Sequence, residues 1–236
     1  ERDCKNYLGG APANVACALR KLGVETEFVG CLGDDEFGTE FINLFQELGV
    51  NIRFIQIDKN SSTRIIKVSI DKSGDRSFSG FVNSQKSFAD EVLDRKLIES
   101  HKIDFHNLFK GTKYFITGTN ILASTKSSET LLFFIKCAKK FKVNIVIDAN
   151  WRNIFWDDLN QSTRSQKIDH IQKIKKFLEN GNILKFSREE ALLFFGTDNP
   201  SLISHLLSKK PDVIITNGDD PIKWFINGIQ DTTQVL

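Results

Sequence analysis

The spacing of hydrophobic residues in the first 50 positions predicts a strand between two helices. Residues 13–22 and 36–48 place apolar side chains three and four positions apart, as an amphipathic helix requires. Each stretch is followed by a glycine, Gly23 and Gly49, a residue that commonly ends helices. The intervening residues 26–32 are rich in apolar side chains, and we predict a strand there.

A hairpin is predicted after the second helix. Residues 63–70 and 76–81 have strand-like patterns, and the five residues between them (Asp-Lys-Ser-Gly-Asp) have the composition of a turn. The hairpin interrupts an otherwise regular alternation of strands and helices. We therefore expect it to be a small appendage on a larger α/β core.

Short strand patterns alternate with helical ones through the second half of the chain. This alternation is typical of a parallel sheet covered by helices, in which ligands bind beyond the carboxyl ends of the strands. Polar residues at those ends are therefore the candidates for chemistry. The predicted strands are 114–117, 143–148, 183–186 and 212–216, and the predicted helices are 124–141, 166–178 and 187–195.

Composition narrows the possible functions. The chain has 236 residues, 40% of them hydrophobic, which is enough for the core of one α/β domain. Its 32 basic and 30 acidic residues leave a net charge of +2, so we expect no nucleic-acid partner. No apolar run is long enough for a membrane span, and we expect no membrane partner. The four cysteines are scattered, which predicts reduced thiols in a cytoplasmic protein.

The first candidate site is a glycine pair at the start of the first helix. Residues 9–16 read Gly-Gly-Ala-Pro-Ala-Asn-Val-Ala, and such glycines let a ligand approach the backbone closely. A simple turn between a strand and a helix would have the same pair. Together with Gly23 and the Gly-Asp-Asp-Glu-Phe-Gly segment at 33–38, however, these residues resemble the N-terminal motif of the PfkB (ribokinase/fructokinase) sugar-kinase family. The resemblance implies that Gly9, Gly10 and Asn14 bind the sugar.

The second candidate cluster follows the predicted strand 143–148. Residues 148–152 read Asp-Ala-Asn-Trp-Arg and resemble a segment of fructokinases and 2-keto-3-deoxygluconate kinases. The resemblance implies that Asn150 orients the nucleotide or the sugar, and the planar guanidinium of Arg152 suits a phosphate. In the structural alternative, Asp148 caps the next helix and pairs with Arg152.

The third cluster begins the predicted helix 187–195. Ser187 and Glu190 have the spacing of a capping box. They also resemble the family's Asn-x-x-Glu motif with serine in the first position, which implies that Ser187 lies at the nucleotide phosphates and that Glu190 supports Mg²⁺ through water. One carboxylate suffices, because Mg²⁺ keeps several of its waters. Glu189 is the natural control.

The fourth cluster follows the predicted strand 212–216. The segment from Thr216 resembles the family's nucleotide loop, so Thr216 and Gly218 are expected to contact ATP. Pro221 stands where a second glycine is usual, and it lacks an N–H. A plain turn is the alternative.

The resemblance also implies a lid, formed by about residues 1–8 and 51–83, in which Arg76 contacts the sugar. Arg76 can equally be an ordinary exposed charge of the hairpin. Val82 stands where many fructokinases have an arginine, which makes a sugar acid a poorer candidate than fructose.

The resemblance implies the fold and activity of the whole. We expect residues 1–236 to be one incomplete kinase domain with a ribokinase-like (Rossmann-like) α/β fold, a mostly parallel sheet with helices on both faces, and the small β-sheet lid. It would transfer the γ-phosphoryl group of ATP, with Mg²⁺, to a hydroxyl of fructose or a related hexose. The resemblance also allows a monovalent cation and a homodimer formed through the lid.

Two further expectations concern catalysis. The family's catalytic aspartate, in a Gly-Ala-Gly-Asp motif, does not occur before Leu236. We expect it beyond that residue, so that this stretch alone is inactive. The alternative is a homologue that has lost catalysis and binds sugar or nucleotide in a structural or regulatory role. Pro221 and Val82, which depart from the family pattern, support this alternative. A dinucleotide-dependent oxidoreductase would need a fingerprint that the sequence lacks.

Overall fold

The chain divides into two compact units. The first comprises residues up to 103 together with 124–130, and the second comprises 104–123 and the residues from 131 onward. The sequence predicts a single domain, and the division into two compact units does not test that prediction. The computed structural model describes residues 7–70, 76–82, 87–96, 108–156 and 164–235.

A strand–helix–strand motif forms the main body of the first unit. Its two strands pair in parallel. Phe45 is fully buried and packs against Phe28 with a centroid distance of 4.9 Å. Gly49 adopts φ 73°, a left-handed conformation that glycine accepts readily, and it ends the second helix as predicted. The elements are α1 (Ala11–Lys21), β1 (Glu27–Gly33), α2 (Glu36–Leu48) and β2 (Asn51–Asp58).

The predicted hairpin is present in the first unit. Strand β3 (Ile66–Ile70) pairs antiparallel with β4 (Arg76–Phe81), and this pair forms a sheet separate from β1 and β2. The predicted turn at 71–75 lies outside the described residues. Among the described residues of the predicted lid, β2 pairs with β1, whereas β3 and β4 pair with each other in a separate sheet. The lid residues 1–6 lie outside the described part of the chain.

A six-stranded sheet organises the second unit, in the order β10-β9-β8-β7-β6-β5. Strands β5 to β8 are parallel, and β9 and β10 are added antiparallel at one edge. The mostly parallel sheet is therefore confirmed, and β9 and β10 were not anticipated. The strands are β5 (Tyr114–Gly118), β6 (Asn144–Asp148), β7 (Ile183–Ser187), β8 (Asp212–Asn217), β9 (Asp220–Ile226) and β10 (Ile229–Thr233).

Alternate strand residues differ sharply in burial. Ile147, Leu184 and Val213, on one face of the sheet, are fully buried, whereas Val146, Ile183 and Ile214 on the other face are only half-buried. Helices of the second unit bury residues at 0% exposure, among them Ala138, Ile174 and Ala191. The helices are α3 (Thr125–Lys140), whose first turn belongs to the first unit, α4 (Arg164–Leu178), α5 (Arg188–Phe195) and α6 (Pro200–Leu206).

Helices α5 and α6 pack against strands β7, β8 and β9. Each begins with a side-chain cap, from Ser187 in α5 and from Asn199 in α6. Within the described ranges, every helix is too short or too polar to cross a membrane.

Candidate functional site

The carboxyl ends of neighbouring parallel strands bring the loops of the second unit together. Gly118 at the end of β5 is in register with Asp148 at the end of β6, and Asp148 is in register with Lys185 of β7. Ser187 at the end of β7 is likewise in register with Thr216 of β8. The segments that follow these strands therefore start at one edge of the sheet, where ligands bind in such folds. We refer to residues 149–152, which follow β6, as the β6 loop.

Two side chains that follow β5 hold the main chain of the β6 loop. The hydroxyl of Thr119 donates to the carbonyl oxygen of Ala149 at 2.5 Å. The carboxamide of Asn120 donates to the carbonyl oxygen of Asn150 at 2.9 Å and accepts from the amide of Arg152 at 3.1 Å. Asn150 has φ 35°, a region that few residues except glycine and asparagine enter. The loop is therefore held in an unusual conformation by bonds from outside it.

Glu190 holds the β6 loop from another side. Its side chain is only 7% exposed, and one carboxylate oxygen accepts from the amide of Trp151 at 2.8 Å. The other oxygen accepts from the amide of Ser187 at 2.8 Å, while the Ser187 hydroxyl accepts from the amide of Glu190 at 3.2 Å. The predicted capping box is therefore confirmed. The box closes the start of α5 and reaches across to the loop after β6.

The charge state of Glu190 reflects its burial. Desolvation raises the pKa of this carboxyl above its ordinary value, and the nearby Asp148 carboxylate raises it further. Hydrogen bonds from Ser187 and Trp151 and the charge of Lys185 act in the opposite direction without cancelling the rise. Each oxygen of Glu190 has a second lone pair. Its carboxylate is thus chemically suited to a hydrated Mg²⁺, although no group of three such ligands occurs in the described part of the chain.

The ion pairs at this edge include Lys185 with Asp148 and Arg152 with Glu190, whereas the structural alternative from the sequence pairs Asp148 with Arg152. Lys185 Nζ lies 3.1 Å from Asp148 Oδ1, although that oxygen lacks the geometry of a hydrogen bond. Arg152 Nη1 lies 3.7 Å from Glu190 Oε1 and donates to the carbonyl oxygen of Trp151 at 2.9 Å. The Arg152 side chain is 39% exposed, so its guanidinium is accessible at the sheet edge.

The predicted nucleotide loop after β8 is a tight hairpin turn in the structure. Asn217 pairs with Asp220 across the turn, and Gly218 between them has φ 55°. The Thr216 hydroxyl lies 3.4 Å from the carbonyl oxygen of Phe186. Pro221 has no register partner on β8, because the β8–β9 register shifts at this point, and the β9–β10 pairing ends at Ile222. A bulge of this kind tolerates a residue without an N–H.

The glycine pair of the first unit lies at the open start of α1. Gly10 is the N-cap with φ 102°, and no side chain caps the helix. A Cβ atom at Gly9 or Gly10 would meet nothing within 4 Å. The side chain of Asn14 is exposed. The backbone amide of Asn14 donates to the carbonyl oxygen of Gly10 at 2.9 Å. Helical N–H groups and an exposed carboxamide are thus available here. Arg76 lies at the start of β4, and its side chain is outside the described part of the structure.

The segment at 33–38 has a structural role that the motif alone did not reveal. Asp35 caps α2 by accepting from the amide of Gly38 at 2.8 Å and also accepts from the amide of Thr63 at 2.7 Å. A Cβ atom at Gly38 would lie 2.2 Å from the carbonyl oxygen of Gly33. The motif therefore ties the end of β1 to the chain that leads into the hairpin. Burial acts to raise the pKa of Asp35, but hydrogen bonds from Gly38 and Thr63 lower it below its ordinary value.

Sequence reasoning missed two residues that organise the β6 loop. Thr119 and Asn120 hold its main chain from the segment that follows β5. Asn120 could have been found, because it follows β5 as Asn150 follows β6, and polar residues after parallel strands are candidates by position.

Comparison with known proteins bears on the identity of the chain. The family model described as pfkB family carbohydrate kinase matches residues 1–235. A probable fructokinase-5 of Arabidopsis thaliana is 31% identical over 220 residues, which cover 92% of this chain and 63% of that protein. A fructokinase of Vibrio alginolyticus is 31% identical over 199 residues, which cover 84% of this chain and 58% of that protein.

Solved structures agree with the sequence relatives. A crystal structure of a fructokinase from Xylella fastidiosa has a TM-score of 0.78 at 26% identity and covers 95% of this chain and 65% of its own. The same enzyme with bound ATP has a TM-score of 0.77 at 25% identity. The chain thus spans less than two thirds of the length of these relatives, and it has their ribokinase-like α/β fold. From the extent of the family match and these likenesses, we conclude that the chain belongs to the pfkB family of carbohydrate kinases.

Proposed function

We propose that the protein to which this chain belongs transfers the γ-phosphoryl group of ATP to a hydroxyl group of fructose or a related hexose. One observation carries the proposal: the β6 loop presents Asn150 and the accessible guanidinium of Arg152 at the carboxyl edge of a parallel sheet, in a chain of a carbohydrate-kinase family. Phosphoryl transfer depends chiefly on positioning and on stabilising charge, and a fixed loop with an arginine supplies both.

The second unit would bind the nucleotide. In this proposal Arg152 and Asn150 hold phosphate oxygens, Ser187 lies beside them, and Thr216 and Gly218 contact the nucleotide. Glu190 would hold Mg²⁺ through water, and the ion would neutralise charge on the phosphates. Support comes from the ATP-bound fructokinase among the structural neighbours and from the burial of Glu190, each of whose carboxylate oxygens has a second lone pair. A carboxyl with a raised pKa beside charged partners is also typical of functional sites.

The first unit would bind the sugar. Exposed backbone at Gly9 and Gly10 and the carboxamide of Asn14 can both donate to and accept from sugar hydroxyls. We include Arg76 as a further sugar contact. Fructose is favoured because several relatives are named fructokinases. A cytoplasmic location, a monovalent cation and a homodimer through the lid belong to the same proposal, as does a catalytic aspartate beyond Leu236.

Calorimetric titration of the chain with MgATP tests the nucleotide part. Arg152→Met is expected to weaken binding by about tenfold or more, because a charge-assisted contact of roughly 1.5–3 kcal/mol is lost. Arg188→Met is the matched control, since Arg188 is a half-exposed arginine of the same unit whose ion pair is with Asp198. Equal affinity of the Arg152 variant and the wild type would remove Arg152 from the site.

The reaction itself is tested with a gene product that includes the sequence after Leu236. We expect it to form ADP only when fructose or a related hexose is added, and we expect residues 1–236 alone to form none. The second candidate function, a binding protein without catalysis, is supported by Pro221 in the predicted nucleotide loop. Failure of both ATP and sugars to raise the melting temperature of the gene product would overturn the kinase proposal.

A further inference from the structure

We propose that Asn120 is a positioning residue that fixes the β6 loop and thereby the point from which Arg152 reaches phosphate. This inference rests on the proposed function, because it assigns the residue that orients part of the nucleotide site. Asn120 is not part of any motif noted in the sequence. Its assignment comes from the structure alone.

The two hydrogen bonds of Asn120 have opposite directions. Its amide group donates to the carbonyl oxygen of Asn150 at 2.9 Å, and its carbonyl oxygen accepts from the amide of Arg152 at 3.1 Å. A carboxamide offers both a donor and an acceptor in one planar group, whereas a carboxylate at neutral pH only accepts. The side chain thus bridges the residues on either side of Trp151 and limits rotation of the chain between them.

The loop needs such a bridge because its conformation is not intrinsically favoured. Asn150 has φ 35°, and residues held in sparsely populated regions persist only when the surroundings fix them. Four consecutive residues of the loop each have one main-chain group bonded to a side chain from outside: Ala149 to Thr119, Asn150 and Arg152 to Asn120, and Trp151 to Glu190. Main-chain bonds of this kind fix the loop without using the side chains of Asn150 and Arg152.

Preorganisation is what these bonds would contribute to binding. A loop already held in its binding conformation loses less conformational freedom when the ligand arrives, and affinity rises accordingly. The Arg152 side chain is 39% exposed, its contacts include Trp151 and Glu190, and its main-chain amide is bonded to Asn120. Loss of Asn120 would therefore spread the positions of Arg152 without removing its charge.

The second unit contains a matched control for the same chemistry at the other end of the sheet. Asn182 accepts from the amide of Ile145 at 2.9 Å, next to the start of β6. This bond also joins an asparagine side chain to the main chain of β6, but the amino ends of parallel strands do not form the ligand edge. Asn182→Ala should therefore perturb local structure without affecting the nucleotide.

The experiment compares Asn120→Ala, Asn120→Asp and Asn182→Ala with the wild-type chain by two readouts. Amide hydrogen exchange measures opening of the β6 loop without any ligand, and calorimetry measures the Kd of MgATP. We expect Asn120→Ala to speed exchange at the β6 loop and to raise the Kd by about tenfold, corresponding to one or two net hydrogen bonds. Asn182→Ala should speed exchange at the start of β6 and change the Kd less than about twofold.

The Asn120→Asp variant keeps an acceptor for Arg152 while losing the donor to Asn150, and it serves if the alanine variant fails to fold. It should give the same pattern of effects. Unchanged loop exchange in the Asn120 variants would overturn the inference, as would faster exchange with an unchanged Kd. A wild-type chain that binds no ATP would instead count against the proposed function, and the exchange readout would still decide whether Asn120 fixes the loop.

Discussion

Asp35 in the first unit and Glu190 in the second unit make similar hydrogen bonds, but their pKa values shift in opposite directions. Each carboxylate lies at the start of a helix, and each accepts hydrogen bonds from two backbone amides: Gly38 and Thr63 for Asp35, Ser187 and Trp151 for Glu190. Nevertheless, the pKa of Asp35 is lowered and the pKa of Glu190 is raised. Equal hydrogen bonding therefore does not fix the charge state of a capping carboxylate.

The difference arises from the surroundings. Hydrogen bonds outweigh desolvation at Asp35, which also interacts with the hydroxyl of Thr63. Desolvation outweighs hydrogen bonds at Glu190, and the Asp148 carboxylate adds to its rise. Asp35 is thus held firmly in its charged state at a structural junction. Glu190 is easier to protonate and lies at the strand ends, where a metal cation would return it to the charged form.

The largest expected effects follow removal of either carboxylate. Asp35→Ala and Glu190→Ala each leave two backbone amides without acceptors, and we expect a loss of about 2–4 kcal/mol in the free energy of unfolding. Urea denaturation measures both. The adjacent exposed residues provide controls, since Asp34→Ala and Glu189→Ala should stay within about 0.5 kcal/mol of the wild type. If the loss of stability at either site were as small as in the controls, that carboxylate would not stabilise the fold through its two amide bonds.

An intermediate effect concerns pH. The folded-state pKa of Glu190 lies above its ordinary value of 4.5. Its contribution to stability is therefore full below pH 4.5 and is lost as the pH rises from there through the folded-state pKa. The folded-state pKa of Asp35 lies below its ordinary value of 3.8, so its contribution is present above that pH and is lost as pH falls. Relative to the wild type, Glu190→Gln should therefore become less destabilising as pH rises, and Asp35→Asn should become less destabilising as pH falls.

Urea denaturation of the three proteins between pH 3 and pH 8 would show the two trends. Trends of the same sign would mean that the surroundings of the two carboxylates do not differ as described.

The smallest expected effect on stability follows loss of the Lys185 charge. The ion pair between Lys185 and Asp148 is partly exposed, and Lys185→Met should cost less than about 1 kcal/mol. The same substitution removes a charge that lowers the pKa of Glu190, so this pKa should rise further. Titration of the Glu190 carboxyl by NMR measures the shift. Lys223→Met is the control, because Lys223 pairs with Asp198, whereas Lys185 is the lysine whose charge acts on Glu190.

Local signals explain what the sequence could predict. The helix expected over 36–48 has those bounds in the structure, because a capping aspartate precedes it and a left-handed Gly49 follows it. The capping box of Ser187 and Glu190 was equally visible, since both partners lie within one helical turn. Such elements are determined by residues close together in the chain.

Contacts between distant residues explain what was missed. The bond from Glu190 to Trp151 joins residues 39 positions apart, and the bonds of Asn120 reach residues 30 and 32 positions away. No rule of sequence spacing predicts hydrogen bonds between residues so far apart in the chain. Strand β9 was missed although Ile222, Trp224 and Phe225 are apolar, because its first residues, Asp220 and Pro221, fall in the segment interpreted as a nucleotide loop. Strand β10 has five exposed and mostly polar residues, so it had no hydrophobic signature to detect.

The register shift at Pro221 has a consequence for the denatured chain. Proline restricts the unfolded backbone, and a bulge accommodates it without loss of a ladder bond. Pro221→Gly would enlarge the set of conformations that the unfolded protein can visit, at a cost of about 0.4–1 kcal/mol in the free energy of unfolding. A proline in this bulge thus makes the protein more resistant to heat than a glycine at the same position.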